Sequence, residues 1–220
     1  MIPKIVWQTH ESKYEDLPKL YKINSQTYQT IGWEYRYHSA LDRQLFISEH
    51  FPEYLHLYLH IGPGIYRADF WRYLVLYKHG GFYTDMDSRL AEYRQDSNFA
   101  RSINDPEATF NVLKDSDTYY ANGTIICSQD NLIMKEIVEA VVSKCQEFYD
   151  EGWKVFPHPT WVHATGPKVY TEVIQKHMDK VSHWYTITEG LDKFSIQHGG
   201  RHKHKMDIDS ANNMFLGQRY

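Results

Sequence analysis

Tyr66-Arg67-Ala68-Asp69-Phe70-Trp71-Arg72, followed by a helical run and then Gly80-Gly81-Phe82-Tyr83-Thr84-Asp85-Met86-Asp87, is the most informative stretch of this chain. The spacing of apolar residues from Ile65 to Lys78 predicts a strong helix, closed by Gly80-Gly81 because glycine tolerates the left-handed backbone of a helix end. Phe82-Tyr83-Thr84 predicts a short buried strand running into Asp85-Met86-Asp87. Residues two apart on a strand share a side, so Asp85 and Asp87 are expected to converge at the strand end. Two carboxylates there suit Mg²⁺ or Mn²⁺, which take oxygen ligands and keep positions for water and substrate phosphate. Asp-x-Asp also occurs in ordinary exposed turns, so the context matters. Asp69 and Arg72 lie one turn apart on the preceding helix. They form either a local ion pair of small worth or, in a helix this aromatic, a buried pair that needs a function or close pairing.

Working outward, Lys4 to Gln8 predicts a buried opening strand. Pro18 to Tyr28 predicts a helix with Leu20, Ile23 and Tyr28 as core residues. Trp33 to His38 alternates as a strand with period two, and Asp42 to His50 predicts a helix halted before Pro52. Thr109 to Leu113 and Thr124 to Cys127 predict further strands. Leu132 to Tyr149 predicts a long helix whose Met134, Ile137, Val138, Val141, Val142, Cys145 and Phe148 make one apolar stripe. Thr165 is expected as N-cap of a helix begun by Pro167. Strands alternating with helices favour an α/β domain with a mostly parallel sheet.

The 220 residues suit one domain spanning 1–220. A net charge of −4 offers no global basic field, so nucleic acid is not an expected partner. Aromatics at 15% argue against a disordered chain. The 6 Trp and 18 Tyr form either a thick core or a stacking surface for sugar or base. Two cysteines, Cys127 and Cys145, read as buried free thiols suited to a reducing compartment. No apolar run reaches the roughly 18 residues of a transmembrane helix. Met1 to Lys4 has no signal-peptide pattern, and we expect a soluble, intracellular chain.

The run Arg67-Ala68-Asp69-x-x-Arg72, then Gly80-Gly81-x-Tyr83-x-Asp85-x-Asp87, resembles the DXD-containing sugar-binding region of glycosyltransferase family 32. Ile2 to Val6 with Gln8, Asn122-Gly123 before an apolar strand, Thr165-Gly166-Pro167 and His198 extend the resemblance along most of the chain. It implies a GT-A fold, a Rossmann-like sheet flanked by helices with a small acceptor-side subregion. By position it implies catalytic roles for Asp69, Arg72, Asp85, Asp87 and Asn122, and donor contacts from Trp7, Gln8, His10, Tyr83 and Asp69. Because the family's secretory-pathway members carry a membrane anchor, it also implies a cytoplasmic enzyme of bacterial or viral origin, acting in the host cytoplasm if viral. It implies Asp85, Asp87 and His198 as ligands of Mn²⁺ or Mg²⁺, with Asp85 acting directly or through bound water. In one respect the chain departs from the family, which often has His where Trp7 stands and Trp where His10 stands. Either residue could stack on the donor base; for Trp7 the alternative is a place in the core.

The activity implied is a metal-dependent retaining transfer of a hexosyl unit from a nucleotide sugar, UDP-hexose favoured over GDP-mannose, to a glycan or glycolipid. A nucleotide-sugar hydrolase using the same site, and a catalytically silent carbohydrate-binding domain, are the competing readings. Lys193, Arg201 and Lys203 are candidate phosphate contacts, while His202 and His204 read as a solvated tail. Trp161 is either an acceptor platform or a core plug. Tyr54, Tyr58 and Tyr66, near His56 and His60, could associate with a membrane periphery or pack on a neighbouring helix.

Overall fold

The computed structural model describes residues 1–62, 64–90, 98–114, 119–152, 162–186 and 196–198, with 98, 184–186 and 196–198 described through the backbone. The strands are β1 (Ile5–Thr9), β2 (Glu34–His38), β3 (Gly81–Thr84), β4 (Ser88–Leu90), β5 (Phe110–Lys114), β6 (Tyr120–Cys127), β7 (His183–Thr186) and β8 (Ile196–His198). The helices are α1 (Lys19–Gln29), α2 (Ala40–His50), α3 (Leu55–His60), α4 (Gly64–His79), α5 (Asn98–Asn104), α6 (Leu132–Asp150) and α7 (Pro167–Gln175).

Six strands form one sheet in the order β2-β1-β3-β6-β5-β7. The β1–β2, β1–β3 and β5–β7 pairs are parallel, and β6 runs against both its neighbours. The expected α/β architecture with a mostly parallel sheet is what the chain forms. Alternation along β3 sends Phe82 to one face and Tyr83 to the other. Tyr83 joins Trp7, Val112 and Ile125 in a core covered by α2, α3, α4 and α6. Phe82 joins Val6 and Ile126 in a second core containing Tyr28 of α1 and Phe99 and Ile103 of α5. The sheet is therefore covered on both sides, as a largely parallel sheet requires.

Gly80 and Gly81 have φ of +65° and +104°. A Cβ on Gly80 would lie 2.5 Å from the Gln129 backbone nitrogen, and one on Gly81 would lie 2.6 Å from the Ile5 carbonyl oxygen. The pair thus ends α4 and lets β3 enter beside β1 at backbone distance. On α6 the expected stripe is buried, Met134, Ile137, Val141 and Cys145 included. Tyr58 and Tyr66 are buried as well, so this segment packs inward.

Three expectations fail. Leu20 and Ile23 are 49% and 47% exposed, whereas Asn24, Ser25 and Tyr28 turn inward. Tyr28 is buried as expected, but α1 is turned from the face that Leu20 and Ile23 predict, because its inner stripe meets the Met86 carbonyl, the Leu90 amide and the Thr84 hydroxyl, which need polar partners. Thr165 is not the N-cap of α7; Gly166 takes that position with no side-chain bond, and Thr165 turns toward Asp69 instead. β3 ends at Thr84, and Asp87 sits in the turn that follows rather than on the strand. The Ser88 amide donating to the Asp85 carbonyl at 3.1 Å closes this turn.

Candidate active site

The site lies at the carboxyl end of β3, where ligands of open α/β sheets gather. α4 contributes Asp69 and Arg72, and β6 contributes Asn122 and Gly123. Arg72 Nη2 reaches Asp69 Oδ1 at 3.0 Å and Asp85 Oδ1 at 3.1 Å, and its Nη1 donates to the Asn122 carbonyl at 2.7 Å. Its guanidinium also stands 4.5 Å from the centre of the Tyr83 ring. Burial works against the charge of Arg72, but Asp85, Tyr83 and Asp69 outweigh it and hold the group charged. Arg72 Nε is buried with no hydrogen-bond partner among the described residues.

Asp69 is 6% exposed. Its Oδ1 accepts from Asn122 Nδ2 at 3.0 Å, and Thr165 Oγ1 lies 3.5 Å from its Oδ2. Burial pushes its carboxyl up to about 7, with the Asp85 charge adding to the shift. One arginine shared by two carboxylates does not offset that burial. The Tyr83 hydroxyl donates to Asp85 Oδ1 at 2.6 Å. Burial and the neighbouring Asp85 carry its phenol well above the ordinary range, so it remains a donor.

Asp85 is thereby oriented through one oxygen. Its other oxygen faces Gly123, where a Cβ would come to 2.4 Å. Asp87 is exposed in the turn. An oriented, half-exposed carboxylate beside an exposed one suits a hard divalent cation with several water or substrate ligands. Among the described residues, no three His, Cys, Asp or Glu side chains converge to complete a protein-only cage. β8 brings His198 into register with Ser88, beside Asp87. The His198 side chain, Lys193, Trp161, Arg201, His202, Lys203 and His204 lie outside what is described.

Trp7 is 1% exposed, and its Nε1 donates to the Gly80 carbonyl at 2.9 Å. Its ring stacks on His79 at 5.6 Å, so it lies inside the core. His10 stands just beyond β1 and is half-buried, its ring 5.5 Å edge-on from Tyr21. Gln8 is fully buried, donating to the Asp85 carbonyl at 3.1 Å and accepting from the Tyr35 hydroxyl at 2.8 Å. Asp69, Arg72, Tyr83, Asp85 and Asn122 are therefore brought together. Asp87 stands at their rim, Gln8 reaches them through backbone, and Trp7 lies behind them.

Sequence reasoning missed Tyr73 and the side-chain role of Thr165. The Tyr73 hydroxyl accepts from Asn122 Nδ2 at 2.9 Å and donates to the Thr165 carbonyl at 3.0 Å. The only signal for Tyr73 was its place one turn after Asp69.

Residues 10–103 match the family model described as a glycosyltransferase sugar-binding region containing a DXD motif. Through that stretch the chain is similar to glycosyltransferases of the DXD-containing kind, as the Asp69 to Asp87 block implied. More particularly, it is 33% identical over 93 residues to an initiation-specific alpha-1,6-mannosyltransferase of Candida albicans, covering 39% of this chain and 24% of the relative. It is 36% identical over 89 residues to a mannosyl phosphorylinositol ceramide synthase of Saccharomyces cerevisiae, covering 40% of this chain and 23% of the relative. The match thus spans about a quarter of the length of each of these curated relatives. Among solved structures, the PaToxG glycosyltransferase superposes with a TM-score of 0.57 at 15% identity, over 81% of this chain and 70% of that one. This last likeness concerns the fold.

Proposed function

We propose that the chain transfers a hexosyl unit from a nucleotide sugar to a hydroxyl of a glycan or glycolipid, with retention at the anomeric carbon and dependence on a divalent cation. The observation that carries this reading is the buried Asp69–Arg72 pair joined to the half-exposed Asp85, ringed by Asn122 and Tyr83 and opening onto the exposed Asp87. A buried arginine shared between a buried and a half-exposed carboxylate, with one guanidinium N–H unmet among the described residues, suits a polar ligand better than a packing role.

Asp69 and Asn122 would hold donor sugar hydroxyls, Arg72 would orient the sugar, and His10 rather than Trp7 would lie against the base. Asp87, and Asp85 directly or through water, would hold Mn²⁺ or Mg²⁺. When bound, such an ion supplies neutralisation of the leaving diphosphate. No carboxylate here is an obvious nucleophile for a covalent intermediate. The acceptor oxygen would therefore bond to the anomeric carbon on the face from which the nucleoside diphosphate leaves, its proton passing to a phosphate oxygen of that leaving group. The names of the two curated relatives support GDP-mannose as the alternative to the favoured UDP-hexose, and that of the ceramide synthase supports a glycolipid acceptor.

The test is nucleotide release from a panel of UDP-, GDP- and CMP-sugars with Mn²⁺, with and without chelator and with candidate acceptors. Chelator-sensitive release from one donor, lost in Asp87→Asn at unchanged melting temperature, is the expected result. Full transfer by Asp87→Asn refutes the metal assignment. Release that no acceptor accelerates points to hydrolysis, and absence of both turnover and nucleotide binding points to a silent domain.

A further inference from the structure

The rotation of α1 has a chemical pattern. Asn24, Thr27 and Tyr28 fall at i, i+3 and i+4, one stripe of the helix. Each meets the segment that carries the acidic turn. Tyr28 Oη and Thr84 Oγ1 are 3.2 Å apart. Asn24 Nδ2 donates to the Met86 carbonyl at 3.1 Å. Thr27 Oγ1 accepts from the Leu90 amide at 2.9 Å while donating to the Asn24 carbonyl at 2.6 Å. From β1, Gln8 holds the Asp85 carbonyl. Asp87 therefore stands between anchored points on both sides, although its own side chain is exposed.

We propose that α1 is the positioning element of the acidic turn, with Asn24 and Thr27 setting where the Asp87 carboxylate stands. This rests on the reading of Asp87 as a metal ligand. The bonds to Met86 and Leu90 flank Asp87 one residue before it and three after it. A ligand on a turn is only as well placed as the backbone beneath it; hydrogen bonds made to metal ligands themselves typically carry about 10- to 100-fold in affinity, and bonds to the flanking backbone are expected at the low end of that range. The same demand explains Leu20 and Ile23: with the inner stripe committed to the turn, these two side chains are left facing water.

The experiment compares the full chain with Asn24→Leu, Thr27→Val and the hydroxyl-retaining Thr27→Ser. Hydrogen exchange at residues 86–90 is read against that of β3 and β6, and Mn²⁺ binding is read by water proton relaxation. In Asn24→Leu and Thr27→Val, exchange of 86–90 should accelerate about tenfold with β3 and β6 unchanged, and Mn²⁺ should bind about tenfold more weakly. Thr27→Ser should stay near wild type. Unchanged exchange, or wild-type Mn²⁺ affinity in variants whose turn has loosened, overturns the proposal. Loss of protection throughout the sheet assigns these residues to stability alone and also overturns it. If Asn24→Leu does not fold, Thr27→Val decides. Failure of wild-type protein to bind Mn²⁺ refutes the metal reading instead, and the exchange data then decide whether α1 holds the turn.

Discussion

Replacing Asp69 by Asn should stabilise the protein at alkaline pH while damaging donor use. The folded-state carboxyl titrates at about 7, against an ordinary value of 3.8. Between those values the folded protein keeps a proton that the unfolded chain has released. Stability is therefore greatest below the lower value and falls as pH rises to the upper one. An interval of about 3 pH units at about 1.4 kcal/mol per unit gives a cost of about 4 kcal/mol once Asp69 is ionised. Asparagine cannot ionise, and its Oδ1 can still accept from Arg72 and Asn122. Its amide can donate toward Thr165 Oγ1, where the protonated carboxyl of the wild type would. Asp69→Asn is thus expected to raise the unfolding free energy by roughly 2–4 kcal/mol at pH 8 and to change it little at pH 4. Urea denaturation at pH 4, 6 and 8 measures this. An effect that does not depend on pH, or a loss of stability at pH 8, would refute the assignment of a strained carboxylate. Donor binding should fall in the same variant, the trade expected where a site stores unfavourable charge.

Gly123→Ala should cut donor turnover more than it lowers the melting temperature, because the added methyl would displace the Asp85 carboxylate at 2.4 Å; equal turnover in the variant would show that this oxygen has room to move. Trp7→Phe should cost roughly 1–3 kcal/mol in denaturation, since it leaves the buried Gly80 carbonyl without its donor. The same change should leave nucleotide affinity intact, whereas His10→Ala should weaken it; the reverse ranking by calorimetry would return Trp7 to the base site. His38 is pushed down to about 4 by burial. The unfolded chain thus takes up a proton first, and the stability contributed above about pH 6.5 is lost as pH falls toward 4. His38→Leu should flatten that acid limb in urea titrations, and an unchanged limb would mean that other groups set it.

Much of this protein was legible in the sequence because the deciding signals are local. Helical spacing in α4, the glycine pair that ends it, the short apolar strand and the Asp-x-Asp that follows all depend on neighbours within a turn or two. The same holds for the stripe on α6, which is buried as its period predicts. The local pattern also placed Asp69 and Arg72 on one helix, and they do pair at 3.0 Å. What one-dimensional pattern could not decide was which partner each face meets. α1 looked like a helix docking through Leu20 and Ile23, but its inner stripe meets the Met86 carbonyl, the Leu90 amide and the Thr84 hydroxyl, and leaving such groups unmet costs more than exposing two aliphatic side chains. Trp7 and His10 were equal candidates for stacking until the sheet put one in the core and the other beyond the strand end. Thr165 and Tyr73 became site residues only when α7 and α4 were brought against β6. The sequence by itself determined α4, α6, the central strands and the two carboxylates that follow β3, but not α5, β4 or the early start of β6 that carries Asn122. Tertiary structure alone decided the rotation of α1, the burial that lifts Asp69 toward neutrality and the convergence on Arg72, because burial and long-range hydrogen bonding depend on what packs across the sheet.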